Sequence, residues 1–244
     1  MNIGTFLRTI FSRLLLLLLV LLFLIPIIIF ICLPTRWRYN NKIVFFIMHW
    51  FYVGVLKCSL VPIQFIGKEN IPKKAATIFV ANHQSSLDIP LVGALADGAS
   101  HIWLAKQELM QSPVLRFVLP LFTVLVDVTS PKKAVRSLRE IFVLLDKNNI
   151  QDVIIFPEGA RYTDGKMHDF FGGFVILAKK TGRPVVPICI VGVNKVYPPD
   201  SFWVYWHPIT VIVGKPFIYQ EGESDEIFKQ RVYQWFTERM EFQQ

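Results

Sequence analysis

The hydrophobic pattern begins with twenty uncharged residues at positions 14–33, which include an unbroken block of leucines at positions 14–19. This length matches the hydrocarbon core of a bilayer. A cleaved signal peptide, with Arg8 and Arg13 as its basic region, is the alternative, but the run is long and no small-residue cleavage site follows it. We therefore predict a retained membrane anchor. Basic residues flank both ends, so the positive-inside rule does not orient it.

A second apolar stretch, residues 43–60, is rich in aromatic side chains and is interrupted by His49 and Lys57. Because Trp and Tyr favour the headgroup region, an interfacial helix fits this pattern as well as a second span does. The two segments are expected to form a helical hairpin that inserts into one leaflet. We interpret His49 as a polar position on a membrane helix. Residues 1–60 are thus predicted to be a membrane anchor, and residues 61–244 a separate globular domain.

From residue 61 onward the pattern changes to strands and helices of globular size. Runs of β-branched residues between turn residues predict six strands, at residues 61–66, 77–81, 122–126, 153–156, 185–191 and 209–213. Ser130 and Pro131 suit the start of one helix, Gly182 suits the end of a second over residues 173–180, and Ser224 suits the start of a last one. These elements predict an α/β fold with a mixed, largely parallel sheet flanked by helices, preceded by the N-terminal hairpin.

Composition and charge support a membrane setting. The chain of 244 residues is 53% hydrophobic, and its mean hydropathy of +0.43 is high for a soluble enzyme. Seven basic residues and no acidic one precede Glu69, while the remaining 19 basic side chains nearly balance the 18 acidic ones. The net charge of +8 is therefore an N-terminal property. Anionic lipid is a simpler partner for it than nucleic acid, which we do not expect the domain to bind.

The three cysteines, Cys32, Cys58 and Cys189, lie in apolar surroundings along the chain. An odd number without paired spacing indicates neither a disulfide framework nor a metal site. We interpret them as buried thiols, and we expect no metal.

Candidate chemistry follows the predicted strand 77–81, where the chain reads N-H-Q-S-S-L-D over residues 82–88. A buried strand that ends in a polar loop and opens a helix is a common place for chemistry in α/β sheets. The five-residue spacing lets the His83 imidazole meet the Asp88 carboxylate in the first helical turn. Asp88 can then fix the tautomer while the other ring nitrogen takes a proton from a hydroxyl. A loop histidine followed by an ordinary first-turn acid is the alternative.

A second polar cluster, P-E-G-A-R at residues 157–161, follows the predicted strand 153–156. Glycine permits a tight turn there. A carboxylate beside a guanidinium suits a polyol phosphate, because Glu158 can accept bonds from hydroxyls and Arg161 can bind phosphate oxygens. An ordinary surface ion pair is the alternative.

Together these motifs resemble the glycerolipid acyltransferases typified by 1-acylglycerol-3-phosphate acyltransferase. That family carries N-H-x-x-x-x-D and F-P-E-G-x-R blocks, found here at residues 82–88 and 156–161. Its A-K-x-E-L segment is matched at residues 105–109, and its V-P-[IV] strand at residues 186–188. The resemblance covers about residues 61–217.

The resemblance implies acyl transfer from acyl-CoA or acyl carrier protein to the free hydroxyl of a lysolipid, first of all 1-acyl-glycerol-3-phosphate, which would give phosphatidic acid. His83 would be the general base and Asp88 its orienting acid, while the substrate would be bound by Glu158, Gly159, Arg161 and Lys106. No cofactor beyond the acyl donor is implied. Residues 61–244 would be the catalytic domain, on the cytosolic face of the membrane, where a polar donor meets a lipid acceptor.

Two positions depart from the family pattern. Val128 stands where an Arg is usual, and Phe171 stands where a Lys is usual, so two expected phosphate-binding cations are missing. Lys132, Lys133 or Arg136 are candidates to compensate, although a solvated helix face explains them as well. The departure favours a different acceptor as the alternative, such as another lysophospholipid or a lyso-aminolipid.

Three further hypotheses stay open. A non-catalytic, membrane-anchored lipid-binding protein is the alternative of a different class. An acyl-enzyme on Ser85 is the mechanistic alternative to direct transfer. An apolar segment at residues 115–121 is a candidate lining for an acyl chain, or else plain core.

Overall fold

The computed structural model describes residues 2–39, 41–73, 75–106, 123–127, 130–148, 152–162 and 166–241. Its strands are β1 (Ile63–Ile66), β2 (Ile78–Ala81), β3 (His101–Lys106), β4 (Thr123–Val126), β5 (Asp152–Ile155), β6 (Val185–Val191) and β7 (Ile209–Val213). Its α-helices are α1 (Ile3–Cys32), α2 (Thr35–Tyr39), α3 (Lys42–Cys58), α4 (Asp88–Leu95), α5 (Pro131–Asn148), α6 (Gly173–Thr181), α7 (Val193–Val196) and α8 (Asp225–Glu241). One short 3₁₀ turn covers Lys68–Asn70.

The strands form one seven-stranded sheet in the order β1-β7-β6-β2-β5-β3-β4. Neighbouring strands are parallel except for the β6–β7 pair, which is antiparallel. β2 lies at the centre, and all four of its residues are buried. Because parallel strands end at the same edge of a sheet, the loops that follow β2, β3 and β5 meet at one edge. The expected mixed, largely parallel sheet with flanking helices is confirmed.

Predicted and observed strand bounds agree best for β6 and β7, which are rich in β-branched residues. β6 and β7 have the predicted bounds, whereas β1, β2 and β5 differ from the predictions by one or two residues at their ends. β3 has no counterpart among the predicted strands. Its run H-I-W-L-A-K contains one β-branched residue, so its propensity is weak. It becomes a strand because its backbone pairs with β4 on one side and β5 on the other.

Helix starts and ends follow the capping rules. Ser130 precedes α5 and its Oγ accepts a bond from the Lys133 amide at 3.4 Å. Gly182 ends α6 in the left-handed region, with φ of 67°, and donates its N–H to the Ala178 carbonyl at 2.9 Å. The Ser224 Oγ accepts from the Ile227 amide at 3.2 Å at the start of α8. Serine and glycine at these positions thus satisfy backbone groups that a helix end leaves open.

The N-terminal segments form an antiparallel helical pair. Leu19 of α1 contacts α3 at Gly54, and further along α1 the Phe23 ring meets the Phe51 ring at 5.4 Å. Within the described part of the chain, α1 is the one helix long and apolar enough to cross a bilayer. α3 is shorter, with 17 residues. Cys32 corrects one expectation, because it is exposed on α1, while Cys58 and Cys189 are buried.

α3 also packs against the sheet domain. Tyr52 lies so close to Gly93 of α4 that a Cβ there would stand 2.5 Å from its ring. The Tyr52 hydroxyl lies 3.3 Å from His101 Nε2 and accepts a bond from Trp103 Nε1 at 3.3 Å. Burial lowers the pKa of His101 to about 4, so this histidine is neutral near pH 7. The second helix of the hairpin is therefore bound to the body by packing and by a buried polar contact.

Candidate active site

The two sequence motifs meet at the edge of the sheet where β2 and β5 end. His83 stands two residues beyond β2, and Glu158 stands three residues beyond β5. Lys106 is the last residue of β3, the next strand in the sheet. The parallel register of these strands therefore brings together side chains that are far apart in the sequence.

His83 and Asp88 form a close, oriented pair. Asp88 is the first residue of α4 and its side chain is fully buried, whereas the His83 side chain is 16% exposed. One carboxylate oxygen, Oδ2, accepts bonds from His83 Nδ1 at 2.8 Å, from the Gln84 amide at 2.6 Å and from the Ser85 amide at 2.8 Å. An ionised carboxylate only accepts, so the shared proton lies on Nδ1 and Nε2 carries a lone pair. Among the described residues, none forms a hydrogen bond with Nε2.

Two contacts that the sequence did not indicate hold the loop in place. The Asn82 side chain donates to the Ile190 carbonyl at 2.9 Å and accepts from the Ile190 amide at 2.7 Å. This pair of bonds fastens the end of β2 to β6. The His83 ring stacks on the Phe156 ring, with centroids 4.1 Å apart and planes 10° apart. The imidazole therefore has one defined orientation before any substrate binds.

Glu158 contacts the backbone of the same loop. Its Oε1 accepts a bond from the His83 amide at 2.9 Å. Burial raises the pKa of Glu158 to about 7, the His83 and His168 bonds lower it, and the charge of Asp88 raises it. Glu158 is thus a buried acid that titrates near neutral pH. Besides any contact with a substrate, it positions His83.

Gly159, Lys106 and Arg161 surround the turn after β5. Gly159 has φ of 67°, and a Cβ there would stand 2.5 Å from Lys106 Cε, so both the backbone angle and the space favour glycine. Lys106 Nζ lies 4.6 Å from the centre of the Phe171 ring. Arg161 is exposed, and its Nη1 donates to Ser86 Oγ at 3.0 Å. Lys106 therefore lies beside the turn that carries Glu158 and Gly159, and Arg161 contacts the His83 loop.

The proposed compensating cations have partners of their own. Lys133 Nζ lies 3.1 Å from Asp127 Oδ2, and Arg136 pairs with Glu140 one helical turn along α5. Phe171 is half exposed beside Lys106. Val128, the Lys132 side chain, residues 107–109 of the A-K-x-E-L match and the apolar segment 115–121 lie outside the described residues. The surroundings of Phe171 are thus defined, whereas the effect of Val128 on the site stays a prediction.

Ser85 has a structural position. It is fully buried, its Oγ donates to the Tyr197 carbonyl at 2.7 Å, and the same oxygen accepts from the Leu87 amide at 3.3 Å. A nucleophilic serine instead donates to its base. These bonds favour direct transfer over an acyl-enzyme on Ser85. In the described part of the chain, no three His, Cys, Asp or Glu side chains are grouped as metal ligands would be.

Comparison with known proteins identifies the family. A 1-acyl-sn-glycerol-3-phosphate acyltransferase from Brassica napus chloroplasts is 33% identical over 183 residues, 73% of this chain and 52% of that protein. One from Pseudomonas aeruginosa is 29% identical over 215 residues, 85% of this chain and 80% of that protein. The chain thus spans about half the length of the plant relatives it matches.

A solved structure agrees along nearly the whole chain. The crystal structure of the 1-acyl-sn-glycerophosphate acyltransferase PlsC from Thermotoga maritima superposes with a TM-score of 0.77 at 26% identity, covering 99% of this chain and 98% of that one. The family model named Acyltransferase matches residues 62–191, which include both motifs. The resemblance read from the sequence is confirmed, and this chain belongs to the Acyltransferase family.

Proposed function

We propose that this protein is a membrane-associated O-acyltransferase that moves an acyl group from a thioester to the free hydroxyl of a lysolipid. The observation that carries the proposal is the His83 pair, in which the buried Asp88 binds Nδ1 at 2.8 Å and leaves Nε2 available as a base. A non-catalytic lipid-binding protein does not need this arrangement.

The reaction requires no protein nucleophile. Nε2 of His83 takes the proton of the lysolipid hydroxyl as its oxygen attacks the thioester carbonyl carbon. The carbon–sulfur bond of the tetrahedral intermediate then breaks, and the imidazolium returns the proton to the leaving thiolate. Asp88 stabilises the imidazolium charge without taking the proton. General base catalysis supplies about 10²–10⁴-fold, so placement of the two substrates has to supply much of the rest.

For the acceptor we propose 1-acyl-glycerol-3-phosphate. Lys106 lies against Gly159 in the turn after β5, and Arg161 of the same turn donates to Ser86 of the His83 loop. A phosphate monoester is a natural ligand for cations gathered at one turn. Gly159 leaves room for the Lys106 stem. Glu158, whose carboxyl group contacts the His83 amide, would bind a hydroxyl of the acceptor. The names of the Brassica napus and Pseudomonas aeruginosa relatives agree with this acceptor.

A second acceptor class is favoured by Phe171. Its half-exposed ring occupies the position where the resemblance predicts a lysine, and it lies against Lys106 instead of adding a charge. A larger or less charged head group, as in another lysophospholipid or a lyso-aminolipid, would suit a site with an aromatic wall.

The same proposal places the chain in the cell and identifies its partners. The exposed apolar surface of α1 supports association with a membrane. We propose that residues 1–60 anchor the chain, that residues 61–244 catalyse the transfer on the cytosolic face, and that acyl-CoA or acyl carrier protein delivers the acyl group. No metal or other cofactor takes part in this scheme.

The test is acyl incorporation by the full chain in lipid vesicles. Each donor, acyl-CoA and acyl carrier protein, is paired with a panel of lysolipids with and without a phosphomonoester. Incorporation into 1-acyl-glycerol-3-phosphate that disappears in His83→Ala but persists in the control His49→Ala supports the proposal. Incorporation only into acceptors that lack a phosphomonoester overturns the choice of acceptor. No incorporation from either donor, with His83→Ala equal to wild type, overturns the enzyme proposal.

A further inference from the structure

An exposed aromatic cluster lies on the loop between α7 and β7, outside the candidate active site. The Phe202 and Trp206 side chains are 57% and 60% exposed, and Tyr205 is also exposed. Large aromatic side chains so exposed on one short loop are unusual for a surface that faces only water. Trp and Tyr are enriched where a protein meets the boundary between lipid and water.

The loop is bound to the first turns of α1. Arg13 Nη2 donates to the Phe202 carbonyl at 2.6 Å, and the Val204 amide donates to Thr9 Oγ1 at 3.1 Å. The Phe6 and Trp203 rings lie 6.3 Å apart. The loop therefore keeps a defined height along the axis of α1.

Arg13 marks that height relative to a bilayer. It is the last charged residue before the uncharged run 14–33. A guanidinium is costly in the hydrocarbon core, so the bilayer boundary falls near Arg13 when the run is in the membrane. Phe202, which binds Arg13, is at the same boundary. Phe6 and Ile10 of α1 are also exposed, so apolar surface continues along the helix on the N-terminal side of Arg13.

We propose that the loop 202–206 is a second membrane-contact surface, whose Phe202 and Trp206 side chains enter the boundary region of the bilayer beside α1. The partner is a lipid surface. This inference rests on the membrane setting proposed above and adds to it a contact made by the sheet domain itself.

The contact has a consequence for the active site. The Arg13 guanidinium lies 4.9 Å from the centre of the Tyr197 ring. The Tyr197 carbonyl accepts the Ser85 Oγ bond at 2.7 Å, and the Ser85 amide binds Asp88 at 2.8 Å. Anchor, loop and His83 pair are thus joined by direct contacts. Docking of the loop would set the height of His83 above the lipid whose hydroxyl it deprotonates.

The experiment measures depth and not activity. The full chain, with Cys32→Ser to remove the exposed native thiol, receives one new cysteine for an environment-sensitive fluorophore. Trp206→Cys and Phe202→Cys probe the loop, and Leu21→Cys probes the anchor. Lys180→Cys is the control. Lys180 is exposed near the end of α6, just before the start of β6, whereas the loop 202–206 comes after the other end of that strand. Each protein is placed in phosphatidylcholine–phosphatidylglycerol vesicles that carry a nitroxide near the headgroup end or near the methyl end of the acyl chain.

We expect both loop labels to be quenched at least about twofold more by the headgroup-end nitroxide than the control label, as boundary aromatics require. The anchor label should be quenched by the methyl-end nitroxide. Quenching of the anchor label without quenching of the loop labels overturns the inference and leaves the proposed function intact. Loop labels that quench each other as protein density rises, but are not quenched by lipid, show a second copy of the chain on this surface and also overturn it. Absence of quenching at every site overturns the inference together with the membrane setting.

Discussion

Two histidine–aspartate pairs in this chain differ in geometry and therefore in what they can do. His83 and Asp88 lie 2.8 Å apart, and the acid is fully buried. His49 of α3 and Asp97, just beyond α4, lie 3.8 Å apart, and the Asp97 side chain is 91% exposed. The first distance is that of a strong hydrogen bond, whereas the second is too long for one.

The difference shows what makes an acid useful beside a histidine. Asp88 is held by two backbone amides in addition to the imidazole, so its lone pairs have fixed directions. Asp97 is in water, where screening reduces the interaction to a fraction of a kcal/mol. Residue types alone do not distinguish the two pairs. Burial and the additional donors do.

The sharpest test of this contrast removes each histidine. We expect His83→Ala to lower kcat for acyl transfer by about 10²–10⁴-fold, because it removes the general base. His49→Ala should change kcat by no more than a small factor. Steady-state assays of both variants in vesicles measure this, with retention of the thermal unfolding transition as the folding control. Equal losses in both variants would contradict the assignment of His83 as the base.

Removing the acids tests the orientation directly. Asp88→Asn keeps the shape but removes the charge, and with its oxygen at the Oδ2 position it puts an N–H group at the buried Oδ1 position, where the described residues offer no hydrogen-bond partner. We expect kcat to fall by about 10²-fold or more and the free energy of unfolding to fall by about 1–3 kcal/mol. Asp97→Asn is the matched control and should stay within about 0.5 kcal/mol of wild type. An active, stable Asp88→Asn enzyme would show that the pair does not orient the base.

Arg161 belongs to neither pair, but it borders the first one. Arg161→Ala should raise KM for 1-acyl-glycerol-3-phosphate by about 10-fold, the loss of one charge-assisted hydrogen bond. KM for a phosphate-free lysolipid should not change. Ser86→Ala, which removes only the contact of Arg161 with the loop, is the control and should affect both acceptors equally. An unchanged KM in Arg161→Ala would remove this residue from the acceptor site.

Glu158 gives the stability of the folded protein a dependence on pH. The folded protein keeps the Glu158 proton up to about pH 7, whereas the ordinary pKa of a glutamate is 4.5. Between those values the folded state binds more protons than the unfolded state, so the free energy of unfolding falls as pH rises. Asp152, whose pKa burial raises to about 7, adds to the same trend. Glu158→Gln should remove the contribution of Glu158 to this fall in the free energy of unfolding, which is on the order of 2 kcal/mol between pH 5 and pH 8.

Thermal unfolding of wild type and of Glu158→Gln between pH 5 and pH 8 measures the contribution of Glu158 to the pH dependence of stability. The stability difference between Glu158→Gln and wild type should shift in favour of the variant as pH rises. A difference that does not depend on pH would mean that Glu158 is ionised throughout the range.

The smallest expected effect concerns Ser85. Because its Oγ binds the Tyr197 carbonyl and not the imidazole, Ser85→Ala should lower stability by about 1 kcal/mol and leave kcat within a few-fold of wild type. Acyl transfer and unfolding are measured on the same preparation. Loss of activity together with a trapped acyl-protein in the wild type would restore the acyl-enzyme alternative.

Local patterns were sufficient for the parts of this chain that fold by local rules. The bounds of β6 and β7 followed from runs rich in β-branched residues, and the start of α5 followed from Ser130 and Pro131. The close pair of His83 and Asp88 was also predictable, because Asp88 lies only five positions after His83, across a short loop that opens a helix. Short-range geometry has few solutions, so the spacing of residue types determines it.

Contacts between distant segments depended on the order of strands in the sheet. β3 has weak propensity and is a strand because two neighbours pair with it. The bond from the His83 amide to Glu158 spans 75 residues, and the bonds of Asn82 to Ile190 span 108. Many strand orders are compatible with one hydrophobic pattern, and each would bring different loops together. Packing of the whole chain selects one order, and with it the neighbours that make the His83 pair differ from the His49 pair.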